Sequence, residues 1–184
     1  MRDIPLIYEL RQITQDVETY TRRTVVVMSA QMGMVPYHLI NNQDGTIYLL
    51  DLDGLTSPEF MRCSVLSNFS QGSMGTVVSY PVYFQFWDEL SSRCHIPKPD
   101  VIFDLRTYGS ALVEQHGYRV VFEQIGSINS NSPLFHGLNV SADEFIAVRE
   151  DLLPALHPIN PSKLEFSGTR LIPRAGRGWP DTPR

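Results

Sequence analysis

The best-supported prediction of strand pairing rests on a turn and the strand that follows it, which read Asn41-Asn42-Gln43-Asp44-Gly45-Thr46-Ile47-Tyr48-Leu49-Leu50-Asp51-Leu52. The segment 41–45 ends in Asp-Gly, a dipeptide that is typical of turns between strands. Apolar residues dominate both flanks, 34–40 and 46–52, so the pattern predicts a β-hairpin. Strand candidates cluster early in the chain, and helices are neither numerous nor regularly interleaved with them, so a sheet built mainly from antiparallel strands is predicted.

Two helices are predicted from apolar spacing on either side of this hairpin. The first covers about 5–22, because its apolar residues recur at intervals of three and four and form one stripe. These residues are Leu6, Leu10, Ile13, Val17 and Tyr20. The second begins at Pro81, a residue that the first turn of a helix accepts, and ends before Pro97.

Two further helices are predicted from capping residues. One covers about 101–115 with Asp100 as its N-cap, although Val101 to Leu105 could instead form a short strand. The other starts at Ser141, which forms a capping box with Glu144.

The overall pattern predicts one mixed α+β domain. Residues 118–125 cluster apolar side chains and are expected to form an interior strand that is covered on both faces. Residues 1–164 are expected to form a single domain with a mainly antiparallel sheet and about four helices. Residues 165–184, rich in Pro, Arg and Gly, are expected to form an extended or disordered tail. A doubly wound fold is the alternative.

Composition restricts the classes of function. The chain has 184 residues and a net charge of −5, which argues against broad binding to a phosphate backbone. Cys63 and Cys94 are far apart in sequence and lack a CxxC pattern, so two reduced thiols are expected. The first apolar cluster is interrupted by charges, and the longest apolar runs are too short to cross a membrane. A cytoplasmic protein without membrane association is therefore predicted.

The most suggestive chemical motif is Asp51-Leu52-Asp53-Gly54, at the end of the apolar strand. Residues two apart share one face of a strand, so the two carboxylates could meet one cation or phosphoryl group. The run resembles the first motif of the haloacid-dehalogenase-like phosphotransferases. By that resemblance Asp51 would be the nucleophile, Asp53 the acid/base, and both would share a magnesium. The structural interpretation is that Asp51 faces solvent and that Asp53-Gly54 ends the strand in a turn.

The segment 88–106 resembles a helix-turn-helix. Its second helix would begin near Lys98, and Lys98 and Arg106 would approach DNA phosphates. Asp100 and Asp104 add negative charge to the same element and oppose that approach. Two helices packed around a proline turn are the structural alternative.

The remaining chemical residues do not form a familiar motif. Five histidines lack metal-ligand spacing, so no cofactor is expected, and each histidine is interpreted as a surface or hydrogen-bonded residue. Arg174, Arg177 and Trp179 in the tail could bind a partner, because Arg and Trp often dominate binding energy.

The leading prediction is a non-enzymatic interaction or regulatory protein that binds another macromolecule. A protein partner is expected, and nucleic acid is left open. DNA-binding regulation through 88–106 is one alternative. A magnesium-dependent phosphotransferase built on Asp51 and Asp53 is the other.

Overall fold

The computed structural model describes residues 5–29, 46–51, 59, 62–63, 65, 80–105, 113–125, 127–128, 140–141, 144–157, 165–166 and 169–172. The elements in these ranges are α1 (Pro5–Thr21), β1 (Val25–Ser29), β2 (Ile47–Asp51), α2 (Tyr80–Gln85), α3 (Trp87–Cys94), β3 (Val101–Leu105), β4 (Tyr118–Ile125), β5 (Ser127–Ile128), β6 (Val140–Ser141), β7 (Glu144–Arg149), a 3-10 helix (Glu150–Ala155), β8 (Glu165–Phe166) and β9 (Thr169–Ile172).

Helix α1 confirms the prediction for residues 5–22. Its stripe residues Leu10, Ile13 and Val17 are buried because they pack against the sheet. Tyr20, predicted on the same stripe, is instead 58% exposed, because it lies at the edge of that face near the end of the helix. The helix ends where Arg22 adopts a left-handed conformation with φ 55°. The amide of Arg22 donates to the Glu18 carbonyl at 2.7 Å, and the chain enters β1 three residues later.

The main sheet is mixed, with the order β2-β1-β3-β7-β4-β9-β8. Strand β1 pairs in parallel with both β2 and β3, whereas β7, β4, β9 and β8 add antiparallel pairings. An α+β arrangement is therefore confirmed, but the expectation of a mainly antiparallel sheet is wrong. All five residues of β1 are buried, which is typical of a parallel strand covered on both faces.

The predicted strand at 46–52 is present as β2, and its described partner is β1. The parallel register runs from Val25 opposite Ile47 to Ser29 opposite Asp51. The first strand of the predicted hairpin, 34–40, lies outside the described residues. An Asp-Gly turn marks where a strand begins but does not determine which strand it pairs with.

Two of the predicted helices are strands. Residues 101–105 form β3, the strand alternative, and Asp100 precedes this strand instead of capping a helix. The capping-box residues Ser141 and Glu144 belong to β6 and β7. Phe145 to Val148 are four consecutive buried residues, and one buried face of a helix cannot accommodate four in a row.

Helices cover both faces of the sheet. Helices α2 and α3, which replace the single helix predicted from Pro81, break at Phe86 and pack Tyr83, Phe84 and Leu90 on one face. Helix α1 and the 3-10 helix pack on the other face, where Leu152 joins the α1 stripe. The predicted interior strand is confirmed, since β4 lies between β7 and β9.

Cys63 and Cys94 form a disulfide, with their Cα atoms 5.4 Å apart. The expectation of two reduced thiols is therefore wrong. Cys63 is buried in the core beneath α2 and α3, and Cys94 is the last residue of α3. Sequence separation alone gave no indication that the two residues meet, because the bond depends on tertiary packing.

The predicted tail begins in the sheet. Strands β8 and β9 pair with each other, and β9 pairs with β4 through Glu123 opposite Ile172 and its neighbours. Residues 173–184 lie outside the described residues.

Candidate binding cleft beside helix α1

A buried carboxylate on α1 holds a histidine at the end of the 3-10 segment. The Asp16 Oδ1 atom lies 2.7 Å from the His157 Nδ1 atom, and the His157 backbone amide donates to Asp16 Oδ2 at 3.0 Å. The Gln12 side-chain amide donates to Asp16 Oδ1 at 3.1 Å. Asp16 is only 6% exposed, so these contacts replace most of its water.

The contact with Asp16 determines which ring nitrogen of His157 carries a proton. A carboxylate can only accept hydrogen bonds, so the Nδ1 atom of His157 must carry the proton. In the neutral ring, Nε2 is then the acceptor. The His157 side chain is 74% exposed, which leaves Nε2 accessible. A buried acid that orients an exposed imidazole is an arrangement that can serve binding or proton transfer.

An open cleft of about 840 Å³ lies beside this pair. It is lined by polar side chains from α1, from the turn before β1, from Thr46 and from His157. The volume falls in the range of clefts that hold small ligands, roughly 300–1,000 Å³, although most such clefts are more apolar. The lining therefore favours a polar occupant.

A network of ion pairs stabilises the turn between α1 and β1. Arg23 donates to both carboxylate oxygens of Asp100, at 2.8 and 2.6 Å, and the Val26 amide donates to Asp100 Oδ2 at 3.0 Å. Arg149 Nη1 lies 3.0 Å from Asp100 Oδ1, and Arg149 also pairs with Asp151. Asp100 is fully buried, so two guanidinium groups and an amide compensate for its lost hydration.

The network changes the proton affinity of its members. The hydrogen bond to Asp100 raises the pKa of Arg23 against the opposing effect of burial. Burial lowers the pKa of Arg149, but the bond to Asp151 and the charge of Asp100 outweigh it and leave that pKa raised. The hydrogen bond from Arg149 lowers the pKa of Asp151. The net shift of each of these three pKa values favours the charged form of the side chain.

The outer row of α1 consists of Tyr8, Gln12, Gln15 and Thr19, all of which are exposed. Their spacings of four, three and four place them on one side of the helix. Tyr8 is 60% exposed and the neighbouring Tyr20 is 58% exposed. The outer row is uncharged and borders the cleft, into which Gln12, Gln15 and Thr19 extend.

Little in the residue pattern indicates this site. Asp16 lies next to the apolar stripe of α1, and His157 was one of five scattered histidines, 141 residues further along the chain. The hydrogen-bonded interpretation of His157 is confirmed. The sequence pattern predicts Asp100 as a helix N-cap and contains no signal that links it to Arg23 or Arg149.

The motif residue Asp51 is buried at the carboxyl end of β2, opposite Ser29 of β1. The interpretation that it faces solvent is wrong, because the Asp51 side chain is fully buried at the end of a strand that pairs in parallel with β1. Asp53 lies outside the described residues. Within the described residues, no group of three or more His, Cys, Asp or Glu side chains could hold a metal ion.

The helix-turn-helix at 88–106 is not formed. Its first helix is α3, but the second is replaced by an extended segment and β3. The hydroxyl groups of Tyr83 and Tyr118 donate to the carbonyls of Pro97 and Pro99 and hold this segment extended. Strand β3 then pairs with β1 and β7 in the sheet interior, where it cannot enter a DNA groove.

The other predicted contact residues are only partly described. Lys98 lies over the ring of Tyr118, with 5.8 Å between Nζ and the ring centroid. Arg106, Arg174, Arg177 and Trp179 lie outside the described residues. Among the helices that the structure describes, none is long and apolar enough to span a bilayer.

Neither a protein-family model, nor a curated protein, nor a solved structure matches this chain. The fold and the site together define a mixed α+β protein with a polar cleft beside its first helix.

The Asp16–His157 contact is expected to hold α1 to the 3-10 segment. Replacing Asp16 with Asn keeps its shape but removes the charge that strengthens three hydrogen bonds. We expect the free energy of unfolding to fall by about 1–2 kcal/mol, as measured by urea denaturation. Glu18→Gln is the matched control on the same helix and should change it by less than about 0.5 kcal/mol. Equal effects of the two substitutions would contradict a role for the contact.

Proposed function

We propose that this chain is a non-enzymatic interaction or regulatory protein that binds a protein partner through the outer row of α1 and the adjoining cleft. The observation that carries the proposal is the exposure of two tyrosines, Tyr8 and Tyr20, on one helix beside an uncharged polar row.

The composition of this surface supports the proposal. The cores of protein interfaces are enriched in tyrosine and poor in charge, and tyrosine contributes a large contact area with little conformational entropy to lose. The Gln12, Gln15 and Thr19 side chains can both donate and accept hydrogen bonds at the interface. A helix held by a buried stripe and by the Asp16–His157 contact presents these groups with little reorganisation on binding.

A second contact is proposed for the C-terminal residues Arg174, Arg177 and Trp179. Strand β9 ends at Ile172, so these residues follow directly from the sheet. Their side chains can combine charge-assisted hydrogen bonds with aromatic stacking. These three residues are assigned a secondary role in binding, because the support for them rests on their residue types alone.

The experiment uses the full chain as bait in lysate from its native host, with quantitative mass spectrometry of captured proteins. Any protein captured is then expressed separately and titrated against the purified chain. We expect the combined substitution Tyr8→Ala and Tyr20→Ala to weaken that measured affinity at least about tenfold.

Two variants complete the design. The combined Arg174→Ala, Arg177→Ala and Trp179→Ala variant tests the second contact, for which a smaller loss is expected. Arg93→Ala changes an exposed residue of α3, on the opposite face of the sheet, and should leave the affinity unchanged. If the tyrosine variant bound the partner as tightly as the wild type, the proposed surface would be wrong.

The phosphotransferase alternative is favoured by one observation. Asp51 ends a strand in a parallel pair, and carboxyl ends of parallel strands are where ligands bind in open α/β sheets. Against it, Asp51 is fully buried in this structure.

We therefore expect Asp51→Asn to leave partner binding intact, and we expect the wild type and the variant to show the same phosphatase activity. The measurement is hydrolysis of a chromogenic phosphate monoester by purified wild type and variant, with and without magnesium. Magnesium-dependent turnover that disappears in the variant would place the phosphotransferase function first.

A further inference from the structure

We propose that the cleft beside α1 binds a small hydroxylated anion, a polyol that carries a phosphate or a carboxylate. Arg22 would hold the anionic group, and His157 Nε2 would accept a hydrogen bond from a ligand hydroxyl. The inference goes beyond the proposed function: Gln15 and Thr19 border both surfaces, but the ligand is of low molecular weight and its binding is measured on the purified chain without any protein partner.

The cationic group is Arg22. Its side chain lines the cleft and is exposed, and among the residues that the structure describes it forms no ion pair. The neighbouring Arg23 also lines the cleft, but its guanidinium is held by Asp100. Arg22 therefore supplies the available charge, and its planar fork suits a phosphate or a carboxylate.

Groups that can bind hydroxyls line the same cleft as this cation. Gln15, Thr19, Thr24 and Thr46 line the cleft with amide and hydroxyl groups that both donate and accept. His157 adds an acceptor whose orientation Asp16 fixes. A ligand with several hydroxyls matches this set better than an apolar molecule or a bare anion, because each lining group can then replace its bound water with a ligand hydrogen bond.

Two carboxylates and a helix end oppose the anion. Asp16 and Glu18 both line the cleft, although Asp16 is buried and hydrogen-bonded to His157, and the carbonyl end of α1 is close by. The affinity is therefore expected to be moderate, and removing the charge of Glu18 should increase it. This opposite response gives the test a variant that strengthens binding as well as variants that weaken it.

The experiment is calorimetric titration of the full chain at pH 7 and 0.15 M salt with four probes: ribose 5-phosphate, gluconate, inorganic phosphate and ribose. We expect at least one of the two polyol anions to bind with Kd below about 1 mM, and inorganic phosphate and ribose to bind at least tenfold more weakly. Whichever polyol anion binds more tightly identifies the anionic group as phosphate or carboxylate.

Three variants assign the contacts. Arg22→Gln should weaken binding of the polyol anion about tenfold. His157→Asn keeps a donor near Asp16 but removes Nε2, and should weaken it about fivefold. Glu18→Gln should strengthen it about two- to threefold. Arg93→Gln, on the opposite face of the sheet, is the control and should have no effect.

The proposal is overturned if neither polyol anion binds saturably at 10 mM, a concentration about ten times the expected Kd. It is also overturned if Arg22→Gln binds as the wild type does, or if inorganic phosphate binds as tightly as both polyol anions. Each variant is compared at an unchanged melting temperature, so a loss of binding cannot be attributed to unfolding.

Discussion

Replacing both Cys63 and Cys94 with serine is expected to lower the free energy of unfolding by about 3.7 kcal/mol. The disulfide closes a segment whose ends are 31 residues apart, and the loop-entropy relation for that separation gives this value. For a chain of this length, the melting temperature should fall by about 7–15 °C. Cys63 is buried, so the new hydroxyl adds a desolvation cost in the same direction.

The measurement is thermal denaturation of the wild type and the double variant, each with and without a reducing agent. Reduction should lower the melting temperature of the wild type toward that of the variant and leave the variant unchanged. If reduction left the melting temperature of the wild type unchanged and two free thiols were titrated in the native protein, the disulfide would be contradicted.

Disulfides persist in oxidising compartments. A persistent disulfide is at odds with the predicted cytoplasmic location. Alkylation of free thiols in native cells tests this location, because it traps both cysteines only if they are reduced there.

Replacing Asp100 with Asn is expected to lower the free energy of unfolding by about 3 kcal/mol. The substitution leaves two guanidinium groups beside a neutral amide, and removing one partner of a buried ion pair costs about 3–5 kcal/mol. Arg23 is 44% exposed, so water recovers part of that cost and the lower end of the range applies. Urea denaturation of the wild type and Asp100→Asn measures the difference.

Asp151→Asn is the matched control for this prediction. Asp151 contacts Arg149 in the same network, but its side chain is 63% exposed, so the cost should stay below about 1 kcal/mol. Arg149 lowers the pKa of Asp151 in the folded protein. The stabilisation from this pair is therefore present above the ordinary carboxyl pKa and is lost as the pH falls through the lowered value. If both substitutions cost the same, Asp100 would not be the centre of the network.

The residue pattern predicted which segments form helices and strands better than it predicted which segments pair or pack with each other. The periodicity of α1 and the apolar cluster of β4 are local signals, and the structure confirms the helix and the strand that they predict, although Tyr20 of the predicted stripe is exposed. Asp100 and the Ser141–Glu144 capping box have the correct local chemistry for helix starts, but consecutive buried residues follow at 101–103 and 145–148. Tertiary burial on two faces outweighed the capping preference.

The candidate site was the least predictable part. Its contacts join residues far apart in sequence, since Arg23 meets Asp100 over 77 positions and Asp16 meets His157 over 141. No periodicity connects such residues, and the acid–imidazole pair is formed only when α1 packs beside the 3-10 segment. The motif at Asp51 was visible because its residues are adjacent, but adjacency gave no information on burial.

Site-specific photo-crosslinking in the native host tests the proposed interaction most directly. A benzophenone amino acid in place of Gln15 reports on the outer row of α1, and the same group in place of Arg93 is the control on α3. The account predicts a discrete crosslinked protein at position 15 that is absent at position 93 and decreases when Tyr8→Ala and Tyr20→Ala are combined with it. Identical adducts at both positions, or an adduct only at position 93, would contradict it.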